Sequence, residues 1–136
     1  MQLEIVDTVY LIAYLRPSDP LHDEAVNVLS GLGKARRISE ASLIELDLLM
    51  KVRGFTPIER AKTWRLLEKI IPPDALEPLT SRDYTVAAIL ADKYELDYFD
   101  SLIAAQCIVR KAKPLTTDER LAKAASESAD ELLREV

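Results

Sequence analysis

The sequence predicts an α/β domain in which a short parallel sheet is wrapped by many helices. Three observations carry that reading. Short apolar or β-branched runs alternate with longer stretches of helical period along the chain. Proline, glycine and capping residues mark most changes of period. The 136 residues, 49% of them apolar, suffice for one core and not for two, so residues 1–136 are expected to form one domain.

The elements follow in order. Leu3-Glu4-Ile5-Val6 reads as a buried strand that turns at Asp7-Thr8, and Val9 to Leu15 as a helix stopped at Arg16-Pro17. After a Ser18-Asp19-Pro20 loop, His22 to Leu29 is a short amphipathic helix closed by Gly31. Arg37-Ile38-Ser39 is a strand, and Ser42 to Val52 a helix apolar on nearly every side, hence buried. Thr56-Pro57 with Glu59 opens a helix that runs to Ile71 and stops at Pro72-Pro73. Ala75 to Leu79 is a strand, followed by helices at Ser81–Tyr94 and Tyr98–Lys111, the latter turning Leu102, Ile103, Ala105 and Ile108 inward. Lys113 to Thr116 is the last strand, and helices at Asp118–Ser126 and Ala129–Val136 finish the chain.

Composition narrows the chemistry. With 18 basic and 23 acidic residues the net charge is −5, which excludes a globally basic nucleic-acid coat. Nine of the basic residues fall between Lys34 and Lys69, where only five acids accompany them, so the remainder is strongly acidic. Such a run is either a solvated face or a patch for a polyanion. The single cysteine, Cys107, leaves no disulfide or CxxC motif, and the single histidine, His22, no poly-His zinc site. Gly31-Leu32-Gly33 runs into Lys34 without the third glycine of a dinucleotide fingerprint. No apolar run has the length of a membrane span and the charged N-terminus is no signal peptide, so a cytoplasmic location is expected. The chemistry must rest on carboxylates.

Glu45 is the most informative of these. On a helix it neighbours Ala41, Ser42, Leu48 and Leu49, with no partner on its own helix, whereas Asp47 has Lys51 four residues on. It is either a core acid paired from elsewhere or a functional one. Asp7 ends a buried strand, where it can equally cap the next helix. Asp97 as N-cap with Asp100 in the first turn accounts for both without a function, and Thr116-Thr117-Asp118-Glu119 has the form of a capping box. Taken together, there is an acid at each of several strand-to-helix turns plus Glu45 on a buried helix, and such acids can meet at the sheet edge where open sheets collect ligands. Carboxylates gathered without Lys or His repel one another, and a divalent cation neutralises them. Oxygen-only donors suit Mg²⁺ or Mn²⁺. Such ions activate water and stabilise a leaving oxygen in phosphodiester hydrolysis.

The segments Ile5-Val6-Asp7-Thr8, Ala41-Ser42-Leu43-Ile44-Glu45-Leu46, Asp97-Tyr98-Phe99-Asp100-Ser101-Leu102-Ile103-Ala104-Ala105 and Pro114-Leu115-Thr116-Thr117-Asp118 resemble, in this order and spacing, the PIN domain of VapC-type toxin ribonucleases. The likeness spans nearly the whole chain. It implies a three-layer α/β/α fold and a Mg²⁺- or Mn²⁺-dependent endoribonuclease. Asp7, Glu45, Asp100 and Asp118 match the catalytic, metal-binding acids, with Asp97, Thr8 and Thr116 in assistance. It also implies an RNA substrate, a homodimer and, for a toxin, a small antitoxin partner. In that setting the basic stretch 34–69 would hold RNA over the acidic pocket. Helices between residues 42 and 71 carry Met50, Phe55, Trp64, Leu67 and Ile71, an apolar surplus expected at a dimer contact. Val9 departs from the pattern, standing where such families place Asn or Ser. The same residue sets aside a haloacid-dehalogenase reading, which needs a second Asp there. The alternatives are a non-catalytic PIN-like module for RNA binding or dimerisation, and an RNA-processing nuclease without an antitoxin.

Overall fold

The computed structural model describes residues 2–136. Four parallel strands, β1 (Glu4–Val6), β2 (Arg36–Ser39), β3 (Leu76–Glu77) and β4 (Lys113–Leu115), form one sheet in the order β3-β2-β1-β4. Helices α1 (Thr8–Tyr14) and α2 (His22–Ser30) link β1 to β2, and α3 (Glu40–Val52) and α4 (Pro57–Glu68) link β2 to β3. The chain then returns through α5 (Ser81–Tyr94) and α6 (Tyr98–Arg110) to place β4 on the other side of β1. The short helices α7 (Glu119–Ala124) and α8 (Ala129–Leu132) follow.

The strand period of two explains the three layers. Ile5 and Val6 are both fully buried, and successive side chains on a strand point to opposite faces. Ile5 packs with Val86, Leu90, Leu102, Ile103 and Leu121 from the helices after β3. Val6 packs with Ile38 of β2 and with Leu11, Leu46, Met50 and Leu67 from the helices before it. Each face of the sheet therefore has its own core, and the expected α/β/α arrangement is the one observed.

Local chemistry sets the boundaries. Ser39 Oγ accepts from Ala41 N at 3.0 Å, starting α3 two residues before the expected Ser42. Thr56 and Glu59 make the expected capping box of α4, and Thr80 and Asp83 make a second at α5. Helix α4 stops at Glu68 rather than Ile71, because the amides of Lys69, Ile70 and Ile71 fold back onto Leu66 and Leu67 carbonyls. Strand β3 keeps only two of five expected residues: Pro73–Ala75 forms a 3₁₀ turn before it, and Pro78 has no N–H to donate after it. The apolar residues expected at a dimer contact mostly complete the monomer instead. Met50 and Leu67 are buried, Trp64 and Ile71 pack against them, and Phe55 alone of the five is exposed.

One polar cluster is built into the layer over β3. Arg110 donates from Nη1 and Nη2 to both oxygens of Asp83, at 2.7 and 2.9 Å, and from Nε to Glu77. Arg37 donates to the other Glu77 oxygen at 2.7 Å. Asp83 is wholly buried, so its charge depends on this bidentate partner. Removing one member of a buried pair strands the other, which costs about 3–5 kcal/mol. Arg110→Met should therefore lower unfolding free energy by about that amount in urea titrations, and adding Asp83→Asn should recover part of it.

Candidate functional site

The strand order places a topological switch between β1 and β4, where the chain leaves β1 in one direction and finally returns on the other side. Crevices at such points, at the carboxyl ends of strands, are where open α/β sheets take ligands. Asp7 follows β1 there and Thr116 follows β4. The two meet across the switch: Asp7 N donates to Leu115 O at 2.9 Å, and Thr116 Oγ1 donates to Asp7 Oδ2 at 2.7 Å.

Asp7 occupies the N-cap position of α1, yet its carboxylate makes no capping bond. It is 7% exposed and turned to Thr116 instead. Burial raises its pKa above the ordinary carboxylate value. The Thr116 hydroxyl and the nearby amides of Thr8 and Val9 oppose the rise, and the charge of Asp118 adds to it. Glu45, half-buried one turn into α3, is raised in the same direction by burial, then by the charges of Asp97 and Asp7. The Thr8 hydroxyl lies beside it and counters the shift, but Thr8 Oγ1 is buried without a hydrogen bond of ordinary geometry. Ser42 Oγ, one turn before Glu45, is also buried and unpartnered.

Asp97 and Asp118 do cap helices. Asp97 Oδ1 accepts from Asp100 N at 2.8 Å to start α6. Asp118 Oδ1 accepts from Arg120 N at 2.9 Å and Leu121 N at 3.2 Å to start α7, so Asp118 is itself the cap. Asp100 stands in the first turn of α6 and uses no oxygen as a cap. Burial, reinforced by Asp97, Asp7, Glu45 and Asp118 in that order, pushes it up to about 7. Asp100 thus lies within reach of the charges of Asp7, Glu45, Asp97 and Asp118.

No cation offsets them. Among the described residues, none of Asp7, Glu45, Asp97, Asp100 and Asp118 forms an ion pair. Nor do any three metal-ligating side chains among them close into a tight cage, as expected of like charges that hold one another apart. Donors that are all oxygen, uncompensated charge and an orphaned Thr8 hydroxyl fit a hard divalent cation. The cleft over Asp97, Asp100 and Asp118 measures about 690 Å³. One residue of its lining carries no signal in a strand-and-acid reading: Arg120, two residues after Asp118. The signal that marks it is a basic residue directly following the Asp118-Glu119 pair.

Three of the nine basic residues of the stretch 34–69 are committed elsewhere. Arg36 pairs with Glu4 at 2.9 Å, Arg37 with Glu77 at 2.7 Å and Arg60 with Asp47 at 2.7 Å. Lys34 and Arg36 stand at the amino end of β2, the sheet edge opposite Asp7.

Ionised Asp100 costs the fold stability, since its folded pKa of about 7 exceeds the ordinary 3.8. That stability is fully present below about pH 4 and lost as pH rises through about 7. Allowing for its half-exposed position, Asp100→Asn should stabilise metal-free protein by about 1 kcal/mol at pH 8 and leave it unchanged at pH 4. Urea titrations at the two pH values check this, and an equal effect at both would refute it.

The comparisons agree with this architecture. The PIN domain model matches residues 5–127. FitAcB from Neisseria gonorrhoeae is similar at 20% identity with a TM-score of 0.69, over 93% of this chain and 95% of that one. VapC20 of Mycobacterium tuberculosis, a sarcin-ricin loop cleaving toxin, is similar at 18% identity with a TM-score of 0.65, over 89% and 94%. A toxin-antitoxin complex from Klebsiella pneumoniae is similar at 17% identity with a TM-score of 0.60, over 85% and 86%. No curated protein sequence matches. With its switch-point carboxylates and a family match from the first strand to beyond the last, the chain belongs to the PIN domain family.

Proposed function

We propose that this chain is a cytoplasmic endoribonuclease dependent on Mg²⁺ or Mn²⁺, and the toxin of a toxin–antitoxin pair. The observation that carries the reading is a contrast within the molecule. Buried Asp83 and Glu77 are neutralised by Arg110 and Arg37, whereas Asp7, Glu45 and Asp100 gather without an ion pair among the described residues. Uncompensated carboxylates at a ligand-collecting edge cost stability, so the compensation comes from outside the chain.

Asp7, Glu45, Asp100 and Asp118 would hold the cation, which when bound supplies Lewis-acid activation of water and charge stabilisation at the scissile phosphate. Thr116 orients Asp7 through the hydrogen bond to Oδ2, and Thr8 keeps a free hydroxyl beside Glu45. Asp97 rigidifies the first turn of α6 and so fixes the backbone of Asp100. Val9, where a polar residue is usual, leaves the task of orienting Asp7 to Thr116. An RNA substrate is supported by VapC20, a similar fold that cleaves the sarcin-ricin loop. An antitoxin partner is supported by the Klebsiella complex, and no helix among the described residues is long and apolar enough to cross a membrane.

Purified protein with Mn²⁺ should cut single-stranded RNA and lose the activity in EDTA. Outer-shell partners of a metal are worth about 10- to 100-fold, so Asp7→Asn, Asp100→Asn or Glu45→Gln should each cost about a hundredfold or more. If wild-type protein leaves a broad RNA panel intact, the non-catalytic module takes the place of this reading.

The same reading includes a homodimer. Its support is an apolar stripe on α3, where Ile44, Leu48 and Val52 recur every four residues and are 43%, 44% and 84% exposed. Sedimentation should give twice the 15.3 kDa chain mass, and Leu48→Asp should return the monomer without unfolding it.

A further inference from the structure

The acidic cleft has one cationic side chain in its lining. Arg120 stands there with Glu95, Asp97, Asp100, Asp118 and Glu119. It is exposed, and among the described residues its guanidinium makes neither an ion pair nor a hydrogen bond with any of these five carboxylates. The backbone of Arg120 is fixed, because its N–H is tied to Asp118 Oδ1 at 2.9 Å. A flexible, fully charged fork with five donors is therefore anchored at the rim of the site with nothing in its grasp.

The surface continues beyond it. A second cleft of about 500 Å³ shares Glu95, Glu119 and Arg120 with the first and adds Asp92, Lys93, Tyr94 and Lys123. Lys93 is engaged by Glu127 at 3.0 Å. Lys123 forms no ion pair among the described residues and stands three positions after Arg120, on the same face of α7. Arg120 and Lys123 are thus the two free cations along a continuous groove that opens from the acids.

A polyanion brought over five carboxylates is repelled unless cations beside them hold its backbone. The stretch 34–69 serves this poorly, since three of its arginines are tied in ion pairs and its first basic residues lie at the opposite sheet edge. We propose that Arg120 and Lys123 form the phosphate clamp of this protein, gripping the backbone of single-stranded RNA where it leaves the acidic cleft. The clamp rests on the nuclease reading for its RNA substrate, and its role is positioning: it holds flanking phosphates and leaves the reacting one to the acids.

Binding and turnover test it separately. Fluorescence anisotropy of a labelled single-stranded RNA, with Ca²⁺ replacing Mg²⁺, gives the slope of log K against log salt for full-length protein. Each phosphate contact to a single strand contributes about −0.7 to that slope. Arg120→Gln with Lys123→Gln should flatten it by about 1.4 and raise KM for RNA about tenfold, with kcat within about twofold. Arg120→Lys should keep most of the slope, and Lys34→Gln with Lys69→Gln should keep all of it. An unchanged slope and KM in the Arg120/Lys123 variant overturns the clamp while leaving the nuclease reading intact. An equal flattening in the Lys34/Lys69 variant, or no RNA binding by wild-type protein at low salt, also overturns it. If wild-type protein binds with the predicted slope change but cuts no RNA with Mn²⁺, the clamp stands and the catalytic reading falls.

Discussion

The architecture turns on one constraint, the placement of a nearly buried carboxylate at the junction of β1 and β4. Asp7 is 7% exposed and finds no cation. Its compensation within the chain is the Thr116 hydroxyl at 2.7 Å, far weaker than an ion pair. That contact exists only because β4 returns beside β1 rather than beside β3. The excursion of the chain through α5 and α6 therefore does two things at once: it completes the second core and carries Asp97 and Asp100 to the same sheet edge.

The molecule contains its own control for the meaning of those unpaired acids. Two buried carboxylates over β3, Glu77 and Asp83, receive four charged hydrogen bonds from two arginines. Arg110 Nη2 also donates to the Pro78 carbonyl. The same fold thus neutralises buried acid thoroughly where acid is structural. Asp100, raised to about 7 by burial and by four neighbouring carboxylates, is the contrasting case, and the contrast supports the proposed cation site. Carboxylates without an ion pair beside β1 and ion-paired ones beside β3 thus stand around the same sheet.

Most of the fold was legible in the sequence because local signals agreed with tertiary demand. The Thr56–Glu59 capping box and the alternation of strand with helix each have a local cause that the structure keeps. The failures lie where tertiary contacts decide. Strand β3 is set by its pairing with Ile38 and Ser39 more than by its own residues, so its extent could not be read locally. Met50 and Leu67 read as surplus apolar surface because the second core, on the far side of the sheet, is invisible to a count of helical faces. Among site residues, the proximity of Asp7, Glu45 and Asp100 followed from topology, whereas the capping role of Asp118 depended on backbone geometry after β4.

Charge offers the sharpest lesson about what a linear reading averages away. Counted along the sequence, the stretch 34–69 is the basic region and the tail beyond Thr116 is acidic. In space the order of importance reverses. Arg36, Arg37 and Arg60 are spent on Glu4, Glu77 and Asp47, and their charge is largely cancelled within a few ångströms. Arg120, embedded between acids in the sequence, keeps its guanidinium free at the mouth of the cleft. Electrostatic attraction falls off over about 8 Å at physiological salt, so a single unpaired cation beside the acids outweighs several that are paired or stand at the opposite edge of the sheet. The function of a charged residue in this fold is set by which partner the topology denies it.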